Sequence, residues 1–145
     1  MPEAQKPRCV AMVLCDAVHR DAGNGKFTLL GIFDRLLGRA VPIKAQFCVF
    51  FVLTDCVGET EIGIRIVDSR AGLSDDFDTS PIIDSPPVRI RSSDPLAAIK
   101  GVVGMTVDFP ESGVYLCELY SGEVILQHQR VVVSGPRAEG DERQN

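Results

Sequence analysis

The 145-residue sequence contains no tryptophan, only two histidines and no long apolar run. A membrane-spanning helix needs about 20 predominantly apolar residues, and no stretch approaches that length. The first apolar segment, Cys9 to Leu14, is also too short for the core of a signal peptide. We therefore predict a cytoplasmic protein with no membrane partner.

The five cysteines do not form a Cys-x-x-Cys pair, and an odd number cannot all pair within one chain. Free thiols are the expected state, and they suit a reducing cytoplasm.

Lysine and arginine are outnumbered by acidic residues, which gives a formal net charge of −5. Proteins that bind nucleic acid usually carry a clustered basic surplus. The best basic group, Arg89, Arg91 and Lys100, is interrupted by Asp94 and by apolar residues. We predict no nucleic-acid partner.

The apolar segments that are present have the lengths and turn signals of β-strands. Residues 9–18 are rich in valine, and a second apolar segment spans 27–36. Residues 21–26 lie between them, where Gly25 can supply the positive φ that a chain reversal requires. The two segments are therefore predicted to form an antiparallel hairpin, and Gly31 to mark a bulge or a close backbone approach within it.

Two middle segments differ in their apolar pattern. Phe47 to Leu53 is apolar throughout and predicts a strand that is covered on both faces. Residues 59–68 alternate between apolar and polar, which predicts a half-buried strand. The proline-rich stretch 69–97 is predicted to be a long connection containing an edge strand at 88–91. Further strands are predicted at 99–109, 113–120 and 123–133.

About seven or eight short strands with no amphipathic helix are typical of an antiparallel two-sheet β-sandwich, immunoglobulin-like or related in topology. A closed barrel is the alternative architecture. We predict one domain over residues 9–133, between disordered tails at 1–8 and 134–145.

The segment Phe109-Pro-Glu-Ser-Gly113-Val-Tyr115 has the form of a tyrosine corner, so we interpret Gly113 and Tyr115 as structural residues. The following Cys117 could pair with Cys48, as in an immunoglobulin domain. The absence of tryptophan and of a secretion signal argues against that pairing.

No pattern of catalytic residues stands out. Cys15 and His19 would share a strand face about 13 Å apart, beyond the reach of a nucleophile and its base. A zinc site would need additional nitrogen or sulfur ligands. Residues 23–26 lack the spacing of a phosphate-binding loop. We predict a protein that is not an enzyme and uses no cofactor.

The acidic loop 75–84 is the one candidate for a metal ion. Asp75, Asp76 and Asp78 could supply the oxygen ligands that calcium prefers. Their spacing departs from the usual calcium-loop pattern, and aspartate is also common in solvated turns. Binding of calcium or a small ligand is therefore the alternative function.

Several segments resemble an uncharacterised bacterial family, the domain of unknown function DUF6941. The resemblance is carried by residues 14–16, 24–33, 41–42, 50–55, Gly58 and the tyrosine-corner segment 109–115. It implies a small cytosolic bacterial β-sandwich and brings no activity with it.

By elimination, we predict a protein-interaction or structural module whose partner is an unknown protein or a second copy of the chain. A second subunit could cover the apolar residues of the 47–53 strand. An ordinary central strand explains them more simply.

Overall fold

The computed structural model describes residues 6–69 and 81–135. Ten strands lie in these ranges, rather than seven or eight: β1 Arg8–Arg20, β2 Phe27–Ile32, β3 Arg35–Leu37, β4 Ile43–Thr54, β5 Gly58–Asp68, β6 Ile83–Asp84, β7 Val88–Ser92, β8 Ile99–Phe109, β9 Gly113–Ser121 and β10 Val124–Ser134. They form two packed sheets, which confirms the predicted all-β sandwich. No helix among the described residues is long and apolar enough to cross a membrane.

The smaller sheet has four antiparallel strands in the order β2-β1-β4-β8. The larger sheet has the order β3-β10-β9-β5-β6, with β7 also pairing with β5. Its β3 runs parallel to β10, whereas its other pairs are antiparallel.

The core lies between the two sheets and is built from alternate residues of the central strands. These side chains point to the same face because successive strand residues alternate. The largest fully buried members are Tyr115, Phe51, Phe109, Ile43, Leu53, Ile62, Ile64, Ile66 and Leu119.

Strand β4 is apolar on both of its faces. Phe47, Val49 and Phe51 enter the core, whereas Phe50 points to the outer face of the four-stranded sheet and is still buried. The Phe27 ring lies 5.5 Å from the Phe50 ring and contributes to its cover. Phe27 belongs to the same chain, so Phe50 is covered within the chain itself. A second subunit over this strand stays a prediction.

The contact between Phe27 and Phe50 requires a bend in β1. Phe27 pairs with Arg20, and Phe50 pairs with Val13. Arg20 and Val13 would lie about 23 Å apart if β1 were straight. The pairing of β1 with β4 ends at Cys15. From the ring contact we infer that the β1–β2 hairpin bends towards the outer face beyond that residue.

Phe27 to Leu36 does not form one strand, which corrects the prediction. β2 ends at Ile32 in the four-stranded sheet, and β3 begins at Arg35 in the six-stranded sheet. Phe33 and Asp34 carry the chain from one sheet to the other. Phe33 and Leu36, on either side of the switch, both pack against the core. The sequence therefore resembles one apolar segment, broken only by Asp34 and Arg35.

The prediction that β5 is half-buried is wrong, because Ile62 to Val67 are buried on both faces. Arg65 on the outer face donates from Nε to Glu118 Oε1 at 2.7 Å, and both side chains are almost completely buried. The Tyr120 ring lies so close over Gly63 that a Cβ there would overlap it. Side chains from β9 therefore cover the face that the alternation assigned to solvent.

The predicted turn between β1 and β2 contains Gly25 at φ 73°, and its amide donates to the carbonyl of Asp21 at 2.8 Å. Gly31 also has a positive φ, 70°, and a Cβ there would overlap the Asp16 carboxylate. Both positions therefore require the conformational freedom of glycine.

Tyr115 is fully buried, and its hydroxyl donates to the carbonyl of Glu111 at 2.7 Å, the geometry of a tyrosine corner. Its ring packs against Phe109 with centroids 4.8 Å apart. Gly113 opens β9 two residues earlier. Of the two predicted tails, only residues 6–8 and 134–135 are among those the structure describes. Within them, Arg8 begins β1 and Ser134 ends β10.

Gly101 and Gly104 of β8 provide a matched test of the packing around β4. A Cβ at Gly101 would overlap the buried Phe51 ring, whereas a Cβ at Gly104 would meet nothing within 4 Å. We expect Gly101→Ala to lower the free energy of unfolding by roughly 1–3 kcal/mol through overpacking. Gly104→Ala should leave it unchanged or raise it by up to about 1 kcal/mol. Urea denaturation measures both, and equal losses would contradict this packing.

Candidate functional site

The side of the sandwich between β1 and β10 is the candidate site, because strand edges remain open there. β2 follows β1 only as far as Phe33, whose amide donates to the carbonyl of Leu14 at 3.1 Å. β3 joins β10 only from Val132 onward. Among the described strands, none pairs with this side of β10 over residues 124–131.

A groove with a volume of about 380 Å³ lies between the two edges. Its walls combine apolar and polar groups, contributed by Met12, Val13, Leu14, Ile32, Phe33, Asp34, Gln129 and Arg130. The Gln129 Nε2 donates to the carbonyl of Met12 at 3.0 Å and so connects the edges. Alternate carbonyls of a strand point to the same side. The Met12 carbonyl therefore faces the same side of β1 as the Leu14 carbonyl, which accepts the Phe33 amide.

The free edge of β10 is regular over part of its length. A register shift lies between Ile125 and Gln127, after which the pairing with β9 is regular. Proline and charged side chains commonly protect exposed edges. Residues 127–131 contain no proline, lysine or carboxylate, and Arg130 is their one permanently charged side chain. This segment spans about 17 Å at the usual rise of a strand, enough for a short added strand.

Main-chain donors point out of this edge. The Val132 amide donates to the carbonyl of Asp34 in the switch segment, at 3.0 Å. By alternation, the amides of Arg130 and His128 face the same side. The His128 amide donates to the side-chain oxygen of Gln127 at 3.2 Å, as expected for an amide that faces away from β9. The segment can therefore pair with an incoming backbone.

The residues considered for catalysis are not brought together. Cys15 is fully buried opposite Ile32 and Cys48, whereas His19 is exposed opposite Thr28. Burial, the adjacent Cys48 and Asp16 raise the pKa of the Cys15 thiol. Burial raises the pKa of Cys117 to about 12, with a smaller effect of Glu118. Thiols with raised pKa values are weak nucleophiles at neutral pH.

The immunoglobulin-type pairing of Cys48 with Cys117 is incompatible with the structure. Cys48 lies on the outer face of the four-stranded sheet, and Cys117 lies in the core on the other sheet. All five cysteines are free.

The calcium candidates Asp75, Asp76 and Asp78 lie outside the described residues, so calcium binding stays a prediction. Within residues 6–69 and 81–135, no group of three or more histidine, cysteine or acidic side chains is placed to hold a metal ion.

The basic residues considered for nucleic acid are dispersed. Arg89 forms an ion pair with Glu61 at 3.2 Å, and Arg91 forms one with Glu59 at 3.7 Å. Lys100 lies on β8 of the other sheet. They do not form a continuous basic surface.

Sequence reasoning missed the groove, including Met12 and Gln129. Neither residue has a local signal for function, because the free edge depends on the order in which distant strands pair.

A family model described as "Family of unknown function (DUF6941)" matches residues 10–134. No curated protein matches the sequence significantly. Among solved structures, the C-terminal domain of wzt is 11% identical with a TM-score of 0.47, covering 91% of this chain and 74% of that chain. An immunoglobulin-like protein from Pseudomonas aeruginosa is 11% identical with a TM-score of 0.40, covering 91% and 99% respectively. At this similarity, neither structure assigns a function.

Gln129→Ala tests the connection across the groove. The substitution removes the hydrogen bond to the Met12 carbonyl, and we expect the free energy of unfolding to fall by about 1 kcal/mol. Gln127→Ala is the matched control on the same edge, since its side chain bonds to the adjacent His128 amide. The control should change stability by less than about 0.5 kcal/mol. Equal losses in urea denaturation would show that Gln129 does not connect the edges.

Proposed function

The chain belongs to DUF6941, a family of unknown function, and we propose that it is a non-enzymatic interaction module of the cytoplasm. Its ligand is an extended segment of another protein, which pairs as an added strand with residues 127–131 of β10. Binding of this kind draws affinity from main-chain hydrogen bonds and specificity from alternate side chains.

The free edge of β10 beside the groove is the observation that carries the proposal. An added strand would pair with the same edge of β10 as β3, which pairs with residues 132–134. Its backbone would meet the outward amides of His128 and Arg130. Alternate side chains of the ligand would enter the groove beside Met12 and Phe33.

The groove and the outer face favour a ligand of particular chemistry. Apolar side chains suit the groove, because Met12, Leu14 and Phe33 form much of its wall. On the other face, the exposed Arg130 would neighbour the ligand's intervening side chains. An acidic residue there would be favoured as a cross-strand partner. The preferred segment alternates apolar residues with polar or acidic ones.

The cysteines support a non-enzymatic, cytoplasmic role. Burial raises the pKa of Cys9, Cys15, Cys56 and Cys117, so these thiols are poor nucleophiles. Five free cysteines in one small domain suit a reducing compartment.

Arg130→Pro tests the proposal, because proline removes the outward amide while the Arg130 position makes no amide bond to β9 by alternation. Peptides from a phage-displayed random library are selected on the wild-type protein, and their dissociation constants are measured. We expect Arg130→Pro to weaken binding by at least about tenfold, from the lost hydrogen bond and the blocked backbone approach. Arg130→Ser is the matched control, which removes the side chain and retains the amide.

Hydrogen exchange locates the bound peptide on the wild-type protein. The amides of His128 and Arg130 should gain protection, since the added strand takes their hydrogen bonds. Peptides that bind Arg130→Pro as tightly as Arg130→Ser, or that leave these amides unprotected, would refute strand addition at this edge.

A further inference from the structure

Cys15 and Cys48 face each other across β1 and β4. They are direct partners in the antiparallel register, and theirs is the last pair before β1 leaves β4. Direct partners point to the same face of a sheet. Here that face is the outer one, because the neighbouring Leu14 and Val49 enter the core.

Their spacing suits a disulfide. Directly opposite residues in antiparallel strands have Cα atoms about 4.5–5.5 Å apart. A disulfide requires Cα atoms about 4.4–6.8 Å apart. Cys48 also contributes to the raised pKa of Cys15, after the larger effect of burial, which agrees with their being neighbours.

Access to the pair lies on the Cys48 side. Cys15 is fully buried, whereas Cys48 is partly exposed. Cys48 is paired on its other side with Gly104, where an added Cβ would meet nothing within 4 Å. A surface depression there is lined by Asp16, Gln46, Phe47, Cys48, Gly104, Met105 and Thr106. A small reagent can therefore reach Cys48 before Cys15.

The register does not place the other strand cysteines opposite a thiol. Cys9 lies opposite Leu53, and Cys117 lies opposite Ile66 and Gln129.

We propose that Cys15 and Cys48 are a site of reversible disulfide formation, driven by a low-molecular-weight disulfide as the oxidant. The Cys48 thiolate attacks one sulfur of the oxidant, forms a mixed disulfide and releases one thiolate. Cys15 then loses its proton, and its thiolate attacks the Cys48 sulfur and releases the second. Although Cys15 reacts poorly with reagents in solution, the register holds it directly opposite Cys48, so this second step is intramolecular. The protein dithiol loses two electrons and two protons, and the oxidant is reduced to two thiols.

The Cys15–Cys48 disulfide would form at the base of the β1–β2 hairpin, where β1 leaves β4. Cys15 is the last β1 residue paired with β4 and also pairs with Ile32 of β2. A covalent bond to Cys48 would tie the base of the β1–β2 hairpin to the central strand. Oxidation should therefore raise the melting temperature, because the bond restricts the unfolded chain.

The test exposes the folded protein to oxidised glutathione under native conditions. We expect a product lighter by two hydrogen atoms, and a Cys15–Cys48 linked peptide after proteolysis without reduction. Cys48→Ser and Cys15→Ala should abolish this product, and Cys15→Ala should stop at the Cys48 mixed disulfide. Cys9→Ser is the matched control and should oxidise like the wild type, since Cys9 lies opposite Leu53.

Cys48→Ser keeps the test decisive if Cys15→Ala fails to fold, because Cys48 is partly exposed and tolerates the change better. Circular dichroism verifies the fold of each variant. A linked peptide that joins any other cysteines, or a wild-type product that stops at the mixed disulfide, would overturn the proposal.

Gly104→Val tests the access route. The valine side chain would fill the open space beside Cys48, and β-branched residues suit a strand. We expect disulfide formation to slow several-fold while the linked product stays the same. An unchanged rate would contradict the assignment of Cys48 as the first thiol to react.

Discussion

The need to cover both faces of β4 is the constraint on which the arrangement of the N-terminal strands depends. Phe51 and its neighbours fill the core, but Phe50 presents a second large apolar surface on the opposite face. Leaving such a ring exposed would cost roughly 1.5–3 kcal/mol. The chain contributes Phe27 to its cover, and a contact between these rings is possible only when β1 bends.

That bend sets the layout of the open side of the molecule. After β2 returns along the bent hairpin, Phe33 and Asp34 lead the chain into the six-stranded sheet. β3 then covers β10 only from Val132 onward, and the preceding edge is left without a described strand. The same departure makes Cys15 and Cys48 the final pair between β1 and β4. The proposed peptide edge and the proposed disulfide site therefore share one structural origin.

On the outer face of the six-stranded sheet, polar side chains cover the central strands. Arg65 and Glu118 are nearly inaccessible, and their 2.7 Å contact compensates part of the cost of removing both charges from water. Tyr120 packs over Gly63, and its hydroxyl donates to Asp84. Burial, followed by the hydrogen bond to Asp84, raises the pKa of Tyr120 to about 12, which further favours the protonated hydroxyl that donates this bond.

The sequence by itself determined the all-β class, most of the strands, the turn at Gly25 and the segment of the tyrosine corner at Tyr115. These features depend on side-chain alternation and turn residues, which act over a few neighbouring positions. Only the tertiary structure decided the switch at Phe33, the free edge of β10 and the opposition of Cys15 to Cys48. Each of these depends on which distant strands become neighbours, and packing between segments far apart in the chain sets that order.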